Sequence, residues 1–342
     1  MRPASPEPGA GVSLTELLKH LTAFLATELP EATDIRIDEL EPVSGGNARR
    51  AWRFDLVYGV EDGHLDVPCI MLMQAEAGQL ESDPEAEFRV LAAASAAGVR
   101  APRALWLDSC GSFLGAPAII MERVSGVTDF LALRAPEPAD RNREVVLDFA
   151  VAAAELHRMD WQKAALGFLG VPTVQSAAAE QVTFWEAQFL EQRMEPHPVI
   201  AGAFNWLKRN QPVAEQVALV HGDLRLGNFL FERERVTALL DWEMAHLGDP
   251  VEDIAWAYRA LWTPEAHVTI DDFVAHYEQA GGPPVKPENL RFWRLFGEIK
   301  HVVISLTAAR SFDDRRTNNL RMADRMTLVA PCLKQFLDWL PA

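Results

Sequence analysis

Residues 219–250 read LVHGDLRLGNFLFERERVTALLDWEMAHLGDP, and this stretch places acidic side chains between dense apolar runs. Apolar runs of this density are typical of a core, and a core excludes carboxylates that have no partner. The acids therefore lie on solvated loops, or they hold something cationic. Short strands are predicted at ALV (218–220) and on both sides of ERER (232–235), and the glycines of HGDLRLGN (221–228) indicate a loop.

Three polar residues of this stretch, Asp223, Asn228 and Asp241, fall at the ends of the predicted strands. The hairpin around ERER is expected to bring them together. Two carboxylates and an amide oxygen that converge on one point need a cation, and oxygen ligands select Mg²⁺ or Ca²⁺. Mg²⁺ usually takes one or two carboxylates and leaves its remaining positions to water and phosphates. The pattern therefore predicts a site for a hard cation.

The spacing of Asp223 and Asn228 is that of the protein-kinase catalytic loop, Asp-x-x-x-x-Asn. In that scheme the loop Asp orients the acceptor hydroxyl and accepts its proton. The loop Asn and a downstream Asp, here Asp241, bind metal. Chance produces one such spacing, but it rarely produces both within a strand, a loop, a hairpin and a second loop.

The rest of the chain separates into a sheet-rich part and a helical part. After a helix predicted at 13–29, strand patterns occupy 35–60, 64–76, 103–109 and 116–126, with an inserted helix at 83–99. Beyond residue 126 helical periodicity dominates, with a break near SFDDRRTNN (311–319). This order predicts an α+β protein with two lobes.

Composition limits the possible partners and location. The 342 residues carry a formal net charge of -17, which argues against nucleic acid and anionic membranes as partners. The cysteines Cys69, Cys110 and Cys332 are far apart, as expected in a reducing compartment. Residues 1–12 are rich in Pro, Gly and Ala and predict a flexible tail rather than a signal peptide. With no apolar run of membrane-spanning length, we expect a cytoplasmic protein.

VHGDLRLGNFLF (220–231) and ALLDWEMAHLGDPVEDIAW (238–256) resemble the aminoglycoside phosphotransferase-like family of small-molecule kinases. AAAELHRMDW (152–161), EPVSGGNARRAWRFDL (41–56) and EAEFRVLAAASAAGVRAPRAL (85–105) resemble the branch that includes the kinase domains fused to acyl-CoA dehydrogenases. The resemblance covers nearly the whole chain, and the block 221–254 is its most specific part. It implies a protein-kinase-like fold with a nucleotide-binding N-lobe over 13–125. The helical C-lobe over 126–342 would carry the catalytic loop and the acceptor site.

The resemblance also implies a role for each matching residue. Asp223 matches the catalytic Asp, and Asn228 and Asp241 match the magnesium-binding pair. Asp253 either braces the catalytic loop or touches the acceptor, and Glu243 faces the metal or acceptor or is a solvated acid. The residues that match the nucleotide-binding side are Ser44, Gly45, Gly46, Asn47, Glu87 (with Glu85 as the alternative helix Glu), Met121, Glu122 and Val124.

One departure from the family pattern concerns the third strand. The family places a Lys or Arg there, which grips the nucleotide phosphates and pairs with the helix Glu. Here CIMLMQAEAG (69–78) contains no basic residue, and the expectation is that Met71 or Met73 stands where the cation should be. Either another cation substitutes, with Arg49 and Arg50 as candidates, or nucleotide binding is weakened or lost.

The predicted function is therefore Mg²⁺-dependent transfer of the γ-phosphate of ATP or GTP to a hydroxyl of a small molecule. The alternative is a pseudokinase-like binding module, favoured by the missing third-strand cation. A metal-dependent hydrolase is disfavoured because no His-rich cluster accompanies the acids. The acceptor is left open between an aminoglycoside- or macrolide-like molecule and a hydroxyacyl-CoA, for which the arginine-rich segment 310–325 is a candidate basic patch. Either a monomer or a homodimer fits.

Overall fold

A computed structural model describes residues 13–43, 49–74, 83–135 and 139–340 of the chain. The predicted tail (1–12) and the predicted nucleotide turn, Ser44 to Asn47, lie outside these residues. The elements are α1 (Leu14–Glu28), β1 (Thr33–Val43), β2 (Arg49–Val60), β3 (Gly63–Gln74), α2 (Pro84–Ala96), β4 (Ala104–Asp108), β5 (Ala118–Glu122), α3 (Phe130–Leu133), α4 (Asp140–His157), α5 (Ala177–Gln192), α6 (Pro198–Arg209), β6 (Ala218–Val220), β7 (Phe229–Glu232), β8 (Arg235–Leu239), β9 (His246–Gly248), α7 (Val251–Ala257), α8 (Ile270–Gln279), α9 (Pro287–Asp313), α10 (Leu320–Asp324) and α11 (Val329–Trp339), with 3-10 helices at Leu166–Leu169 and Arg325–Leu328.

The first compact unit consists, among the described residues, of 13–43, 49–74 and 104–123. Its five strands form one antiparallel sheet in the order β1-β2-β3-β5-β4. Helix α1 begins with a capping box in which the Glu16 backbone N–H donates to Ser13 Oγ (3.2 Å) and the Ser13 N–H donates to Glu16 (2.9 Å). The apolar stripe of α1 packs with one face of the sheet and is made of Leu17, Leu21, Phe24 and Leu25.

Strand β3 divides its side chains between the two faces of this sheet. Cys69, Met71 and Met73 lie in the core with α1, and Met71 is fully buried. Because side chains alternate along a strand, Leu72 belongs to the opposite face, where it is partly exposed. Met71 and Met73 are therefore on the buried face of the sheet, and their correspondence to the phosphate-binding cation stays a prediction.

The register between β2 and β3 also separates the two candidate substitutes for that cation. Arg50 is opposite Met73, so it belongs to the α1 face. Arg49 is opposite Gln74 and shares its face with Leu72. Arg49, rather than Arg50, is therefore on the same sheet face as the accessible residues of β3.

The second compact unit contains residues 76–103 and 124–342, of which the structure describes 83–103, 124–135 and 139–340. Its central element is α9, a helix of 27 residues that is buried along most of its length and packs against α5, α7, α10 and α11. The small strand pairs β6–β9 and β7–β8 are both antiparallel. The inserted helix α2 groups with this unit, whereas the predicted boundary placed it with the sheet.

The predicted elements are present, and the fold-class prediction of an α+β protein is confirmed. The predicted break in the last helical region separates α9, which ends at Asp313, from α10, which begins at Leu320. In the described part of the chain, none of the helices combines the length and the apolarity that a bilayer crossing requires.

Candidate active site

The loop after β6 is shaped by Gly222. Its φ of +82° lies in the left-handed region, and a Cβ at this position would be 2.3 Å from the carbonyl oxygen of Met244. No side chain fits there without moving backbone. The pairing of β6 with β9, in which Val220 is opposite His246, holds this loop against the loop that contains Met244. The absence of a side chain at Gly222 therefore lets the loop after β6 lie directly against the backbone of the loop that contains Met244.

The carboxylate of Asp223 accepts hydrogen bonds from three side chains. Asn228 Nδ2 donates to Oδ2 at 2.6 Å and to the Asp223 carbonyl oxygen at 3.0 Å. Trp256 Nε1 donates to Oδ1 at 2.6 Å. Arg225 Nε lies 3.0 Å from Oδ1 and 3.2 Å from Oδ2. These donors hold the carboxylate in one orientation.

The hairpin β7–β8 brings Asp241 beside Asn228. The Leu240 N–H donates to the Asn228 carbonyl oxygen at 2.8 Å, which places Asp241 one residue beyond that contact. Asp241 has a φ of +69°, a conformation that non-glycine residues seldom adopt. Residues held in this region cluster at functional sites, where the surrounding structure maintains them.

The donor set of this cluster fits Mg²⁺. Because the amide nitrogen of Asn228 is turned to Asp223, its oxygen is directed elsewhere. An amide oxygen and the Asp241 carboxylate are both hard donors, and Mg²⁺ needs few protein ligands when phosphates supply the others. Among the residues that the structure describes, no group of three or more His, Cys, Asp and Glu side chains is arranged to hold a metal ion. A Mg²⁺ ion held by one carboxylate and one amide would take its remaining ligands from water and phosphates.

A buried carboxylate, Asp253 of α7, holds the loop from behind. It accepts hydrogen bonds from the backbone N–H of His221 (2.7 Å) and Gly222 (2.9 Å), and His157 Nε2 lies 3.1 Å away. Burial alone would raise the pKa of Asp253, but the hydrogen bond and charge of His157 and the loop N–H groups lower it overall. The side chain is fully buried, so it contacts the loop backbone rather than an open surface.

A second buried charge, Lys300 of α9, holds the same loop from another side. Its ammonium donates to the Gly222 carbonyl oxygen (2.6 Å) and to Glu252 (2.8 Å), and it lies 4.7 Å from the centre of the Trp256 ring. Burial would raise the pKa of Glu252, yet the neighbouring Lys300 and His246 lower it. The loop is thus fixed through both its N–H groups and a carbonyl.

The comparison with protein families adds independent information. A model described as "Phosphotransferase enzyme family" matches residues 39–294, most of the chain. The chain belongs to this phosphotransferase family. The predicted recognition and the predicted enzyme class, a phosphotransferase, are confirmed.

The curated relatives of this phosphotransferase are larger proteins, and the chain matches only a part of each. Acyl-CoA dehydrogenase family member 10 of Mus musculus is 30% identical over 214 residues, which are 62% of this chain and 20% of that protein. Acyl-CoA dehydrogenase family member 11 of Rattus norvegicus is 31% identical over 207 residues, which are 59% of this chain and 26% of that protein. The matched part is therefore about a quarter, or less, of the length of these relatives.

Solved structures support the fold of this phosphotransferase. A structure of a candidate aminoglycoside phosphotransferase from Ralstonia eutropha has a TM-score of 0.70 at 22% identity, covering 94% of this chain and 97% of the other. The GDP and kanamycin complex of an aminoglycoside phosphotransferase has a TM-score of 0.61 at 16% identity, covering 93% and 98%. At these identities the likeness shows the shared protein-kinase-like fold alone.

The nucleotide-side predictions fall on several elements of this phosphotransferase. Met121 and Glu122 end β5, and Val124 lies just beyond the last residue of the first unit. On α2, Glu87 is buried whereas Glu85 is exposed, which favours Glu87 as the helix Glu. Glu243 is partly buried, two residues after Asp241. Their roles in binding stay predictions.

Two contacts of the site escaped the sequence reasoning. The apolar segment around Trp256 is typical of a core, although the indole N–H of Trp256 reaches Asp223. A lone lysine in the apolar run of α9 indicates a buried partner, and Lys300 has one. The sequence could have flagged Lys300 by this criterion, but it could not name Glu252 as the partner.

Proposed function

We propose that this phosphotransferase moves the γ-phosphate of ATP or GTP to a hydroxyl group of a small molecule, with Mg²⁺ as its cofactor. The observation that carries the proposal is the hydrogen-bonded pair Asp223–Asn228 with Asp241 held beside it by the β7–β8 ladder. This is the arrangement that a kinase catalytic loop requires. The structures with this fold include proteins solved with GDP and kanamycin and with ADP and hygromycin B.

In this proposal Asp223 orients the acceptor hydroxyl and accepts its proton. The hydrogen bonds from Asn228 and Trp256 keep its carboxylate in the geometry that in-line attack needs. Asn228 and Asp241 would hold Mg²⁺, which when bound neutralises charge on the phosphate oxygens. Asp253 acts as the brace of the loop through its bonds to His221 and Gly222.

The nucleotide side of the proposal rests on the family pattern. We propose that the adenine or guanine edge meets the backbone of Met121, Glu122 and Val124. Glu87 and the turn Ser44, Gly45, Gly46 and Asn47 would serve the phosphates, and Arg49 would replace the missing third-strand cation. Glu243 is proposed to face the metal or the acceptor. The proposal places residues 13–125 on the nucleotide side and 126–342 on the acceptor side.

The acceptor classes suggested by the relatives differ in charge. The solved structures include aminoglycoside and macrolide phosphotransferases, and the curated relatives are acyl-CoA dehydrogenase family members. An aminoglycoside- or macrolide-like molecule and a hydroxyacyl-CoA are therefore both acceptor candidates, and the active form is a monomer or a homodimer. Because Cys69, Cys110 and Cys332 are free, a reducing compartment such as the cytoplasm suits the protein.

A second candidate function is a pseudokinase-like binding module. The described strand β3 (63–74) carries no Lys or Arg, and this observation favours it. A lost phosphate contact of this kind costs about 1.5–3 kcal/mol, which weakens nucleotide binding without removing the catalytic loop.

Nucleotide-dependent unfolding tests the proposal. The wild-type protein, Asp241→Ala and the exposed control Asp271→Ala are heated with Mg²⁺ and ATP or GTP, and without Mg²⁺. At about 100 times its Kd, a nucleotide should stabilise the wild type and the control by about 2.7 kcal/mol. The stabilisation should require Mg²⁺ and should be absent in Asp241→Ala. If millimolar nucleotide stabilises none of the three proteins, the binding-module alternative replaces the kinase proposal.

A further inference from the structure

Two arginines lie near Asp223, although the chain as a whole is acidic with a net charge of -17. Arg225 bonds to the Asp223 carboxylate through Nε, and its guanidinium lies 5.2 Å from the centre of the Trp262 ring. The Arg225 side chain remains partly exposed. It therefore holds its charge at the edge of the site with additional N–H donors to spare.

A second arginine, Arg325, lies on the 3-10 helix that follows α10 and packs against α9. The ring of His301 on α9 lies 5.5 Å from the Trp262 ring that Arg225 contacts, so the 3-10 helix packs against the helix that borders this site. Arg325 is partly buried, and no hydrogen bond or ion pair joins it to another described side chain. Burial lowers the pKa of Arg325, and the neighbouring Arg225 lowers it further, while Asp223 and Asp324 act in the opposite direction. Arg325 thus lies within electrostatic reach of both Arg225 and Asp223.

The neighbouring buried groups do not neutralise this pair of arginines. Glu298 is fully engaged by Arg259 through two hydrogen bonds of 3.1 Å and 2.6 Å. Burial and the arginines Arg259, Arg325 and Arg225 hold the pKa of His301 well below its usual range, so it is neutral at pH 7. Asp223 offsets one positive charge and leaves the other without a bonded partner.

Two other arginines of the segment 310–325 behave differently. Arg310 lies 3.2 Å from Asp314, and Arg316 lies 3.9 Å from the same carboxylate, as solvent-accessible pairs. Arg325 lacks such a partner among the described residues. The basic patch that the sequence suggested therefore reduces, near Asp223, to Arg325 together with Arg225 from the catalytic loop.

We propose that Arg225 and Arg325 bind an acidic group of the acceptor, so that the acceptor is a hydroxy compound carrying a carboxylate or a phosphate. This inference rests on the proposed kinase function and selects its substrate class. Guanidinium groups bind carboxylates and phosphates with paired, charge-assisted hydrogen bonds. A polycationic acceptor such as an aminoglycoside would bring like charges to this pair and is disfavoured. The same chemistry would also suit the γ-phosphate of the nucleotide, so the test separates the two sources.

The test uses acceptors in matched pairs that differ by an anionic group. Hydroxy acids of three to six carbons are compared with their amides, and sugar phosphates with the free sugars. Hydroxyacyl-coenzyme A thioesters are compared with neutral N-acetylcysteamine thioesters of the same acids, and kanamycin serves as the polycation. Release of ADP or GDP is measured for the wild type, Arg325→Met, Arg325→Lys and the surface control Arg316→Met, each first shown to unfold like the wild type.

The expected result is turnover of an anionic member and weak turnover of its neutral partner. Arg325→Met should raise the acceptor KM about 10- to 100-fold, with nucleotide KM unchanged, because it loses one charge-assisted contact. Arg325→Lys should recover part of the loss, and Arg316→Met should match the wild type.

The other outcomes identify which proposal fails. Preference for neutral members or kanamycin overturns the inference and leaves the kinase proposal intact. A rise in nucleotide KM instead of acceptor KM assigns Arg325 to the transferred phosphate and also overturns it. Binding of Mg²⁺ and nucleotide without turnover of any anionic member contradicts the acceptor class. If nucleotide neither binds nor turns over, the proposed function itself fails.

Discussion

The loop 221–228, which we propose to be catalytic, and strand β3 are two regions of the same chain with opposite construction. The loop is held by buried charges, since Asp253 takes its N–H groups and Lys300 takes a carbonyl. Strand β3 is held by apolar packing on its α1 face, where Met71 is fully buried, and it carries no Lys or Arg on either face. In the loop, buried polar groups fix the backbone conformation. In β3, apolar packing fixes one face of the strand and leaves the side chains of the other face accessible.

The difference shows which of the two regions can accept substitutions at low cost in stability. A loop whose backbone is bonded from several elements cannot lose a partner without leaving another group unsatisfied in the interior. A strand face that packs by shape alone can exchange residues on its accessible side at low cost. The departure from the family pattern occurs in β3, and the loop retains the full pattern.

The largest expected effect comes from removing the loop carboxylate. Asp223→Asn should lower the transfer rate about 10²- to 10⁴-fold, the range for a lost general base, with nucleotide affinity kept. The measurement is kcat and nucleotide Kd for this variant beside the exposed control Asp271→Asn. Transfer at the wild-type rate would remove Asp223 from the proposed chemistry.

Breaking the buried brace should cost stability as well as activity. Lys300→Met leaves Glu252 buried without its cation and should lower the free energy of unfolding by about 3–5 kcal/mol. The double variant Lys300→Met with Glu252→Gln should recover part of that loss. Urea unfolding measures both, with the exposed Lys334→Met as control. Equal losses in the single and double variants would contradict a coupled pair.

Introducing a lysine on each face of β3 compares how well the two faces tolerate a charge. Met71→Lys buries an unpaired charge in the core and should destabilise the protein by about 3–5 kcal/mol. Leu72→Lys lies on the accessible face and should cost less than about 1 kcal/mol. If that face receives the nucleotide phosphates, Leu72→Lys should also tighten nucleotide binding about tenfold. Similar destabilisation by the two lysines would contradict the assignment of faces.

A smaller effect is expected on stability when the pH is lowered, and its source is two buried histidines. Burial lowers the pKa of His221 and His301 in the folded protein. Below about pH 6.5 the unfolded chain therefore binds protons that the native state does not, so stability falls as the pH falls. The slope is about 1.4 kcal/mol per pH unit for each histidine. Denaturant unfolding at pH 7.5, 6.5 and 5.5 measures this slope. The substitution His301→Gln should make the slope shallower, and an unchanged slope would exclude His301 as its source.

The sequence predicted the elements that depend on local pattern. The capped helices α1 and α2, the hairpin β7–β8 and the convergence of Asn228 with Asp223 all follow from spacing and turn residues. The buried face of β3 was not predictable, because alternation defines two faces but does not say which one α1 covers. Lys300 and Trp256 reach the loop from distant parts of the chain, and no local pattern connects them to it.

The geometry of Gly222 sets a limit on how the proposed site can be changed. Because a Cβ there would collide with the carbonyl of Met244, position 222 accepts no side chain unless backbone moves. Arg325 belongs to a separate 3-10 helix, and no hydrogen bond joins its side chain to the described residues of the loop. Laboratory evolution toward a new acceptor should therefore accumulate its first mutations in residues 320–328 and leave 221–223 unchanged.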